Sequence, residues 1–254
     1  MKLRDKVVVI TGSGGGIGAA CARRFTEEGA KVVVTDVDSQ GVEQVTKDLD
    51  TVGLAVDITV EANVAAIAEL ARRTYGPIDI WFSNAGYAGP PRGGDLSDDR
   101  LWQLNWQLHV MSHVYAAREV LPTMLDRGDG YLLQTASVVA LALHPDKPAY
   151  SVTKHAALSF SEWLAATYRS RGIKVSCFCP GPMLTPMLMA DGTPPDHPIV
   201  KTAATAEQVA DRLVGAIDAE RFLILDSPLG QDCLNAKATD YEQWVLDMAR
   251  QTTT

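Results

Sequence analysis

Val7-Val8-Val9-Ile10-Thr11-Gly12-Ser13-Gly14-Gly15-Gly16-Ile17-Gly18 is the stretch that decides the fold of this 254-residue chain. Four consecutive β-branched residues read as a fully buried strand. The run that follows, Ala19-Ala20-Cys21-Ala22-Arg23-Arg24-Phe25, reads as a helix. Glycines between the two let the backbone turn tightly and let a phosphate come close to the helix N-terminus. Free N–H groups and the positive end of the helix dipole favour an anion there. A glycine cluster without such flanks is a flexible linker; with a strand before it and a helix after it, it is a pyrophosphate site for a dinucleotide. Gly12, Ser13, Gly15, Gly16, Ile17 and Gly18 are its candidate contacts.

Working outward, β and α patterns alternate to the end of the chain. Strands are expected at 7–11, 31–35, 53–57, 78–83, 131–135, 173–179 and 221–225. Helices are expected at 16–28, 39–50, 61–75, 98–126, 149–171, 205–219 and 231–250, with Ser39 as the N-cap of the second. Near-continuous Val/Ile/Leu strands separated by helices imply an α/β, Rossmann-like, doubly wound parallel sheet of about seven strands, covered on both faces. Ligands of such sheets lie beyond the carboxyl ends of the strands. The glycine turn, Asn84-Ala85-Gly86, Ser137 and Pro180-Gly181 all fall at such ends. With no linker, repeat or low-complexity tract, one domain over 1–254 is expected. Gly86–Gly94 and Pro180–Pro198 read as active-site loops.

Composition narrows the function. A formal net charge of −8 leaves no basic stripe for nucleic acid. No apolar run approaches the ~20 residues needed to span a bilayer. Met1–Lys6 leads straight into the first strand without a signal-like segment. Cys21, Cys177, Cys179 and Cys233 lack metal-ligand spacing, so no metal is expected and a reducing, cytoplasmic setting is. Cys177 and Cys179 share one face of a strand, as core residues.

The chemistry begins at Tyr150-Ser151-Val152-Thr153-Lys154, which sets a phenol and an ammonium one helical turn apart. A fixed positive charge favours the phenolate, and a phenol brought toward neutral pH can exchange a proton with an alcohol or carbonyl oxygen. The spacing alone is weak. It gains force from Ser137, thirteen positions earlier after an apolar run, and from the glycine turn.

Thr11-Gly12-x-x-x-Gly16-x-Gly18 together with Ser137, Tyr150 and Lys154 closely resembles the short-chain dehydrogenase/reductase family. The likeness covers about the first 200 residues. Ser83-Asn84-Ala85-Gly86 is similar to that family's Asn-Asn-Ala-Gly motif, and Pro180-Gly181 and Thr185 fall where the family contacts the nicotinamide. The resemblance implies hydride transfer between nicotinamide and a substrate carbinol carbon. Tyr150 would be the acid/base, Lys154 its tuner and the ligand of the nicotinamide ribose, and Ser137 the donor to the substrate oxygen. It also places Asn84, Ala85 and Gly86 beside the cofactor, Asn84 as a structural tie. Asp36 ends the second strand, where a carboxylate accepts from adenosine ribose hydroxyls and repels a 2′-phosphate. Neighbouring Ser13 and Val37 bring no cation, which favours NAD over NADP. Asp57 and Ile58 match the family's adenine contact, although Asp57 also suits a simple strand-end cap.

Two regions depart from the family. Counting thirteen residues back from Pro122 reaches His109 where an asparagine is usual; Trp102 supports that register, and Asn105 would need an insertion. The family's asparagine region organises a water that links the lysine to solvent. His109 is therefore a candidate for the proton relay, adding a group that titrates near pH ~6.5, or else a packed helix residue. The C-terminal fifty residues lack the usual Asp-Gly-Gly ending and carry instead an amphipathic run, Cys233 to Met248.

Val138–His144 would wall the substrate pocket, with Val139 and His144 as contacts and His144 at the rim. A loop over about 182–205, carrying Met183, Leu184, Met187, Leu188 and Met189, would cover it. Unbranched methionines suit a plastic apolar pocket, so a hydrophobic secondary alcohol or its ketone is expected, with Arg92 the one cation placed to reach inward. Helices rich in Trp, Leu, Met and Ala resemble the family's helix-pair interface and imply a homodimer or homotetramer. A non-catalytic dinucleotide sensor, and an epimerase or dehydratase acting on nucleotide sugars, are the other readings. Intact Ser137, Tyr150 and Lys154 oppose the first, and the glycine spacing opposes the second.

Overall fold

In the computed structural model, which describes residues 1–89, 98–184, 188, 194 and 196–251, Val7–Thr11 forms β1, buried along its whole length. The other strands are β2 (Lys31–Asp36), β3 (Val52–Ala55), β4 (Ile80–Ser83), β5 (Gly130–Thr135), β6 (Ile173–Cys179), the short pair β7 (Met183–Leu184) and β8 (Ala204–Thr205), and β9 (Leu223–Leu225). Seven of them form one sheet in the order β3-β2-β1-β4-β5-β6-β9, and every pairing is parallel. The order reverses between β1 and β4, the switch point of a doubly wound α/β, Rossmann-like fold.

The helices are α1 (Gly16–Glu27), α2 (Ser39–Leu49), α3 (Glu61–Tyr75), α4 (Asp99–Trp106), α5 (Ser112–Arg127), α6 (Pro148–Tyr168), α7 (Pro198–Thr202), α8 (Ala206–Asp218), α9 (Pro228–Thr239) and α10 (Tyr241–Gln251). Alternation along the strands divides the core between the two faces. Val8, Ile10, Val34 and Phe82 pack under Phe25 of α1 and Leu213 of α8. Val7, Val9, Trp81 and Leu132 pack under Ile67 of α3 and Val120 of α5. A fully buried side chain of this size contributes about 1.5–3 kcal/mol. The predominantly apolar central strands follow from being covered on both faces.

Several expectations are corrected. The helix expected over 98–126 is interrupted by a π-helical turn, Gln107–Met111, between α4 and α5; the wider turn carries the buried His109 and Val110. The helix expected over 231–250 is two helices. Asp240 between them is extended (φ −150°, ψ 100°), and its Oδ1 accepts from Gln243 N–H at 2.9 Å, as a new N-cap would. Asp38, not Ser39, caps α2, accepting from Gln40 N–H. The third strand runs 52–55 rather than 53–57. The end of α6 tightens into a 3₁₀ turn, Arg169–Arg171, closed by Gly172 at φ 86°. The β7–β8 ladder, not anticipated, ties together the two ends of the expected substrate loop.

Candidate active site

The turn after β1 is built for something to lie against it. Gly12 has φ +66°, and a Cβ there would stand 2.7 Å from Ala85 Cα; at Gly18 it would stand 2.0 Å from Gly12 O. Only glycine fits either place. Added at Gly15, a Cβ meets nothing within 4 Å, so that side of the turn is open. Gly15 is also the N-cap of α1, and no side chain caps the helix, so its first-turn N–H groups suit an anionic ligand. The Ser13 hydroxyl is used internally: it donates to Ile10 O (2.7 Å) and accepts from Thr35 N–H (2.9 Å), stitching β1 to β2. Asp36 Oδ2 accepts from Gly14 N–H at 3.0 Å and its Oδ1 from Asp38 N–H at 3.1 Å, which locks the carboxylate beside the glycine turn. Val37 next to it is 76 % exposed. Asp57 is exposed and caps its own turn, accepting from Thr59 N–H at 2.8 Å, while Ile58 is buried in the core with Val64 and Ile67.

Beyond β4, Asn84 Nδ2 donates to Thr11 O (2.9 Å) and Gly12 O (3.1 Å), holding the two turns together. Thr11 Oγ1 receives the N–H groups of Asn84 (2.9 Å) and Ala85 (3.1 Å), a role sequence reading did not assign. Gly86 follows, and a Cβ on it would lie 3.4 Å from Lys154 Nζ and 3.5 Å from His109 Nε2. The glycine turn, the Asn84–Gly86 segment and α6 therefore meet at one place.

α6 begins at Pro148, whose fixed φ suits a first helical position, and carries Tyr150 and Lys154 on one face. Lys154 is buried, and its Nζ donates to Thr135 O at 3.0 Å and lies 5.7 Å from the Tyr150 ring centroid. Burial brings its pKa down to about 8. Ser137 follows β5, and its Oγ accepts from Val139 N–H at 3.2 Å, leaving its own hydrogen to donate. Its segment is fixed to the next strand end by Val138 N–H to Pro180 O (2.7 Å), and Gly181 N–H donates to Asp226 Oδ1 (2.8 Å). Asp226 is a second anchor that no motif signalled. Val139 and His144 are half-buried, whereas Ala140 and Leu141 pack into a small core with Ala157, Cys177 and Cys179. Leu188 is half-buried; Met183 belongs to the main core, and Leu184 is exposed.

His109 reaches this place from the π-turn. Its Nε2 accepts from Tyr87 N–H at 3.1 Å, so the neutral ring carries its proton on Nδ1, which stands 2.9 Å from Thr153 Oγ1. Its ring meets that of Tyr150 edge to face, with centroids 5.5 Å apart. Burial, followed by the Lys154 charge, holds its pKa well below the usual histidine range. Asn105 instead turns its amide back to Leu101 O. Thr153 was missed because it sits unmarked between Tyr150 and Lys154. Thr185, Met187, Met189 and Arg92 lie outside the described residues. Among the described residues no cluster of three or more His, Cys, Asp or Glu could hold a metal, and no helix is long and apolar enough to cross a membrane.

A family model described as short chain dehydrogenase matches residues 6–195. The 1-deoxy-11-beta-hydroxypentalenate dehydrogenase of Streptomyces exfoliatus is 34% identical, over 89% of this chain and 85% of that protein. Among solved structures, a short chain dehydrogenase/reductase from Burkholderia phymatum in complex with NAD superposes with a TM-score of 0.85 at 28% identity, covering 96% of both chains. L-sorbose reductase from Gluconobacter frateurii, complexed with NADPH and L-sorbose, superposes with a TM-score of 0.78 at 30% identity, over 89% of this chain and 97% of that one.

Proposed function

This chain belongs to the short-chain dehydrogenase/reductase family, and on that premise we propose that it is an NAD-dependent oxidoreductase acting on a hydrophobic secondary alcohol or its ketone. The observation that carries the reading is the buried Lys154 ammonium held against Tyr150 and tethered to Thr135 O, at the sheet end that also carries Ser137 and the glycine turn. A nicotinamide dinucleotide fits the turn, where Gly12 and Gly18 admit no side chain, the Gly15 side is open and the helix N-terminus is uncapped. Gly15, Gly16, Ile17 and Gly18 would meet its pyrophosphate, Asp36 and Val37 its adenosine ribose, and Asp57 and Ile58 its adenine. Asn84, Ala85, Gly86, Pro180, Gly181 and Thr185 would flank the nicotinamide half. Asp36 is the reason for NAD over NADP: its carboxylate, held beside the turn by Gly14 N–H, would repel a 2′-phosphate, and neighbouring Ser13 and Val37 bring no cation to offset that.

Bound NAD⁺ would supply the hydride acceptor. Tyr150, as phenolate, removes the substrate hydroxyl proton, and the Lys154 charge favours that phenolate. Ser137 donates to the substrate oxygen and holds it toward the phenol. In reduction the same proton returns from Tyr150. His109 acts through Thr153 and Tyr87, positioning α6 against the Gly86 segment. Val139 and Leu188 would give the pocket its apolar lining, a role also read for Met187 from the sequence. Leu104 and Trp106 of α4 and Val152 and Trp163 of α6 are exposed apolar side chains, which supports a homodimer or homotetramer through these helices. Four free cysteines suit a cytoplasmic enzyme, and the continuous sheet suits one catalytic domain over 1–254.

The test is a screen of diverse secondary alcohols with NAD⁺, read as NADH absorbance. Turnover confined to apolar alcohols, and lost in Tyr150→Phe, is the expected result. Tight NADH binding without turnover of any alcohol or reduction of any ketone would replace the enzyme with a dinucleotide sensor.

A further inference from the structure

β6 carries two thiols that the proposed reaction does not use. Cys177 and Cys179 are level with Leu223 and Leu225 of β9, and Cys177 is level with Gln134 of β5 as well. Residues two apart on a strand share a face. This face packs against Ala157 of α6 and against Ala136, Ala140 and Leu141, which flank Ser137. Both thiols are free and fully buried. Their sulphurs stand 4.0 Å apart, in hydrogen-bond contact.

Separation decides what the pair can do. A disulfide needs its sulphurs about 2.05 Å apart and its Cα atoms within about 6.8 Å, a limit that positions i and i+2 of a strand barely meet. The sulphurs would have to close by about 2 Å inside one packed strand, which disfavours a disulfide. A cation between them asks for far less. Metal–thiolate bonds of about 2.2–2.3 Å hold two sulphurs about 3.6–3.8 Å apart at a tetrahedral angle and about 4.4–4.6 Å apart when collinear. The observed 4.0 Å falls between the two. Charge agrees with distance. The Lys154 ammonium acts on both thiols and favours their thiolates. Hydrogen bonding within the pair draws the Cys177 pKa down and pushes that of Cys179 up, so one hydrogen is shared where a cation would sit. Two thiolates around a monovalent cation leave one negative charge, which a single ammonium offsets. A divalent ion asks for more ligands, and no cluster of three or more His, Cys, Asp or Glu exists among the described residues. A soft monovalent ion is satisfied by two sulphurs.

We propose that Cys177 and Cys179 form a two-thiolate site for copper(I), with Lys154 as its counter-charge. Binding breaks two S–H bonds, forms two Cu–S bonds and releases two protons to solvent, with no change of oxidation state. Partly buried Cys233 and Leu234 of α9 close this core, so the ion enters by local opening of that helix. Cys21 belongs to the core on the other face of the sheet and takes no part. The site stands independently of the proposed reaction.

Anaerobic titration of the intact chain with copper(I), in competition with the chromophoric chelator bicinchoninate, tests the site. One equivalent per chain is expected to leave the chelator. X-ray absorption of the loaded protein should then show two sulphur ligands at about 2.2 Å and no others. Affinity should fall at least about a hundredfold in Cys177→Ala and in Cys179→Ala, about tenfold in Lys154→Met, and not at all in Cys233→Ser. No copper taken from the chelator, nitrogen or oxygen among the ligands, or full affinity in either alanine variant would overturn the site. Full affinity in Lys154→Met would overturn its counter-charge. If the alanine variants do not fold, X-ray absorption of the unaltered chain decides. No arm uses an alcohol or NAD⁺, so a failed alcohol screen beside these results would reject the reaction and leave the copper site standing.

Discussion

His109 Nδ1 stands 2.9 Å from Thr153 Oγ1, and Thr153 lies within the single helical turn that separates Tyr150 from Lys154. Thr153 Oγ1 donates in turn to Ala149 O at 2.8 Å, and His109 Nε2 accepts from Tyr87 N–H at 3.1 Å. The ring thus joins the Asn84–Gly86 side of the site to α6 using both of its nitrogens. A second ring proton would point Nε2–H at the Tyr87 N–H, so this geometry needs the neutral imidazole.

The first prediction follows from that requirement. The pH–rate profile should show no histidine-like step near pH ~6.5, because His109 stays neutral there. His109→Asn, which keeps a donor and an acceptor, should give a profile of the same shape. His109→Ala should lower kcat by about tenfold through loss of two positioning bonds. A step near pH 6.5 that disappears in His109→Asn would make His109 a titrating relay.

Acid sensitivity is a second expectation. His109 and His113 are buried, with folded pKa values lowered below the ordinary 6.5, that of His113 to about 3. Unfolding at lower pH lets each take up a proton that the folded state refuses. Their stabilising contribution is therefore complete above pH ~6.5 and is lost progressively as pH falls toward the folded values. At pH ~5 the loss is about 2 kcal/mol for His113, and His109 adds to it in the same direction. Urea midpoints at pH 7.5 and 5 measure it, and His113→Gln should flatten the decline.

What the sequence disclosed and what it hid divide along physical lines. Continuous β-branched runs and glycine chemistry are local, so β1, the turn after it and the parallel sheet were legible from Val7–Gly18 onward. Tyr150 and Lys154 were legible because i and i+4 fix their shared face. Thr11, Thr153 and Asp226 were not, since each matters through a partner more than forty positions away or across the sheet. The π-turn was hidden because its cause is tertiary: a helical pattern over 98–126 carries no mark of where His109 must reach Tyr87. The break at Asp240 had a local signal, an N-cap residue inside an amphipathic run, which the regular spacing of Tyr241, Trp244 and Met248 obscured.

The Tyr150 and Lys154 pair makes the third prediction. Tyr150→Phe removes the proton donor and acceptor and should cost about 10²–10⁴ in kcat, with NADH affinity little changed. Lys154→Met should lose turnover and also weaken NADH binding, because the same ammonium is read as the ribose ligand. Fluorescence titration with NADH separates the two. Equal losses of binding in both variants would contradict the assignment of separate roles.

Cofactor choice is checked at Asp36. Its carboxylate is fixed by Gly14 N–H at 3.0 Å and by Asp38 N–H at 3.1 Å, so it cannot swing away from an incoming 2′-phosphate without breaking both bonds. NADH should bind at least about tenfold more tightly than NADPH, and Asp36→Ala should narrow the ratio chiefly by strengthening NADPH. Equal affinities in the intact chain would reject the argument.

The last prediction concerns the C-terminal helices, whose attachment runs through the residue next to Lys154. His155 Nδ1 donates to Ser151 O at 2.9 Å, which leaves Nε2 as an acceptor for Lys237 Nζ at 3.2 Å. Lys237 also lies 4.7 Å from the Trp244 ring centroid and 5.7 Å from that of Tyr241, so one ammonium joins α6, α9 and α10. Cys233 and Leu234 of α9 pack on the core that includes Ala140 and Leu141, directly after Ser137. Lys237→Met keeps most of the stem but removes the charge, a loss of about 1 kcal/mol. Hydrogen exchange over 241–251 should quicken about fivefold in this variant, while β1 and α1 are unaffected. Burial lowers the His155 pKa, so its protonation belongs below the ordinary 6.5. Once protonated, Nε2 becomes a donor facing another donor, and the intact chain should approach the Lys237→Met exchange rates as pH is lowered, after correction for intrinsic exchange. Exchange over 241–251 that ignores both the substitution and the pH would show that apolar packing alone holds the tail.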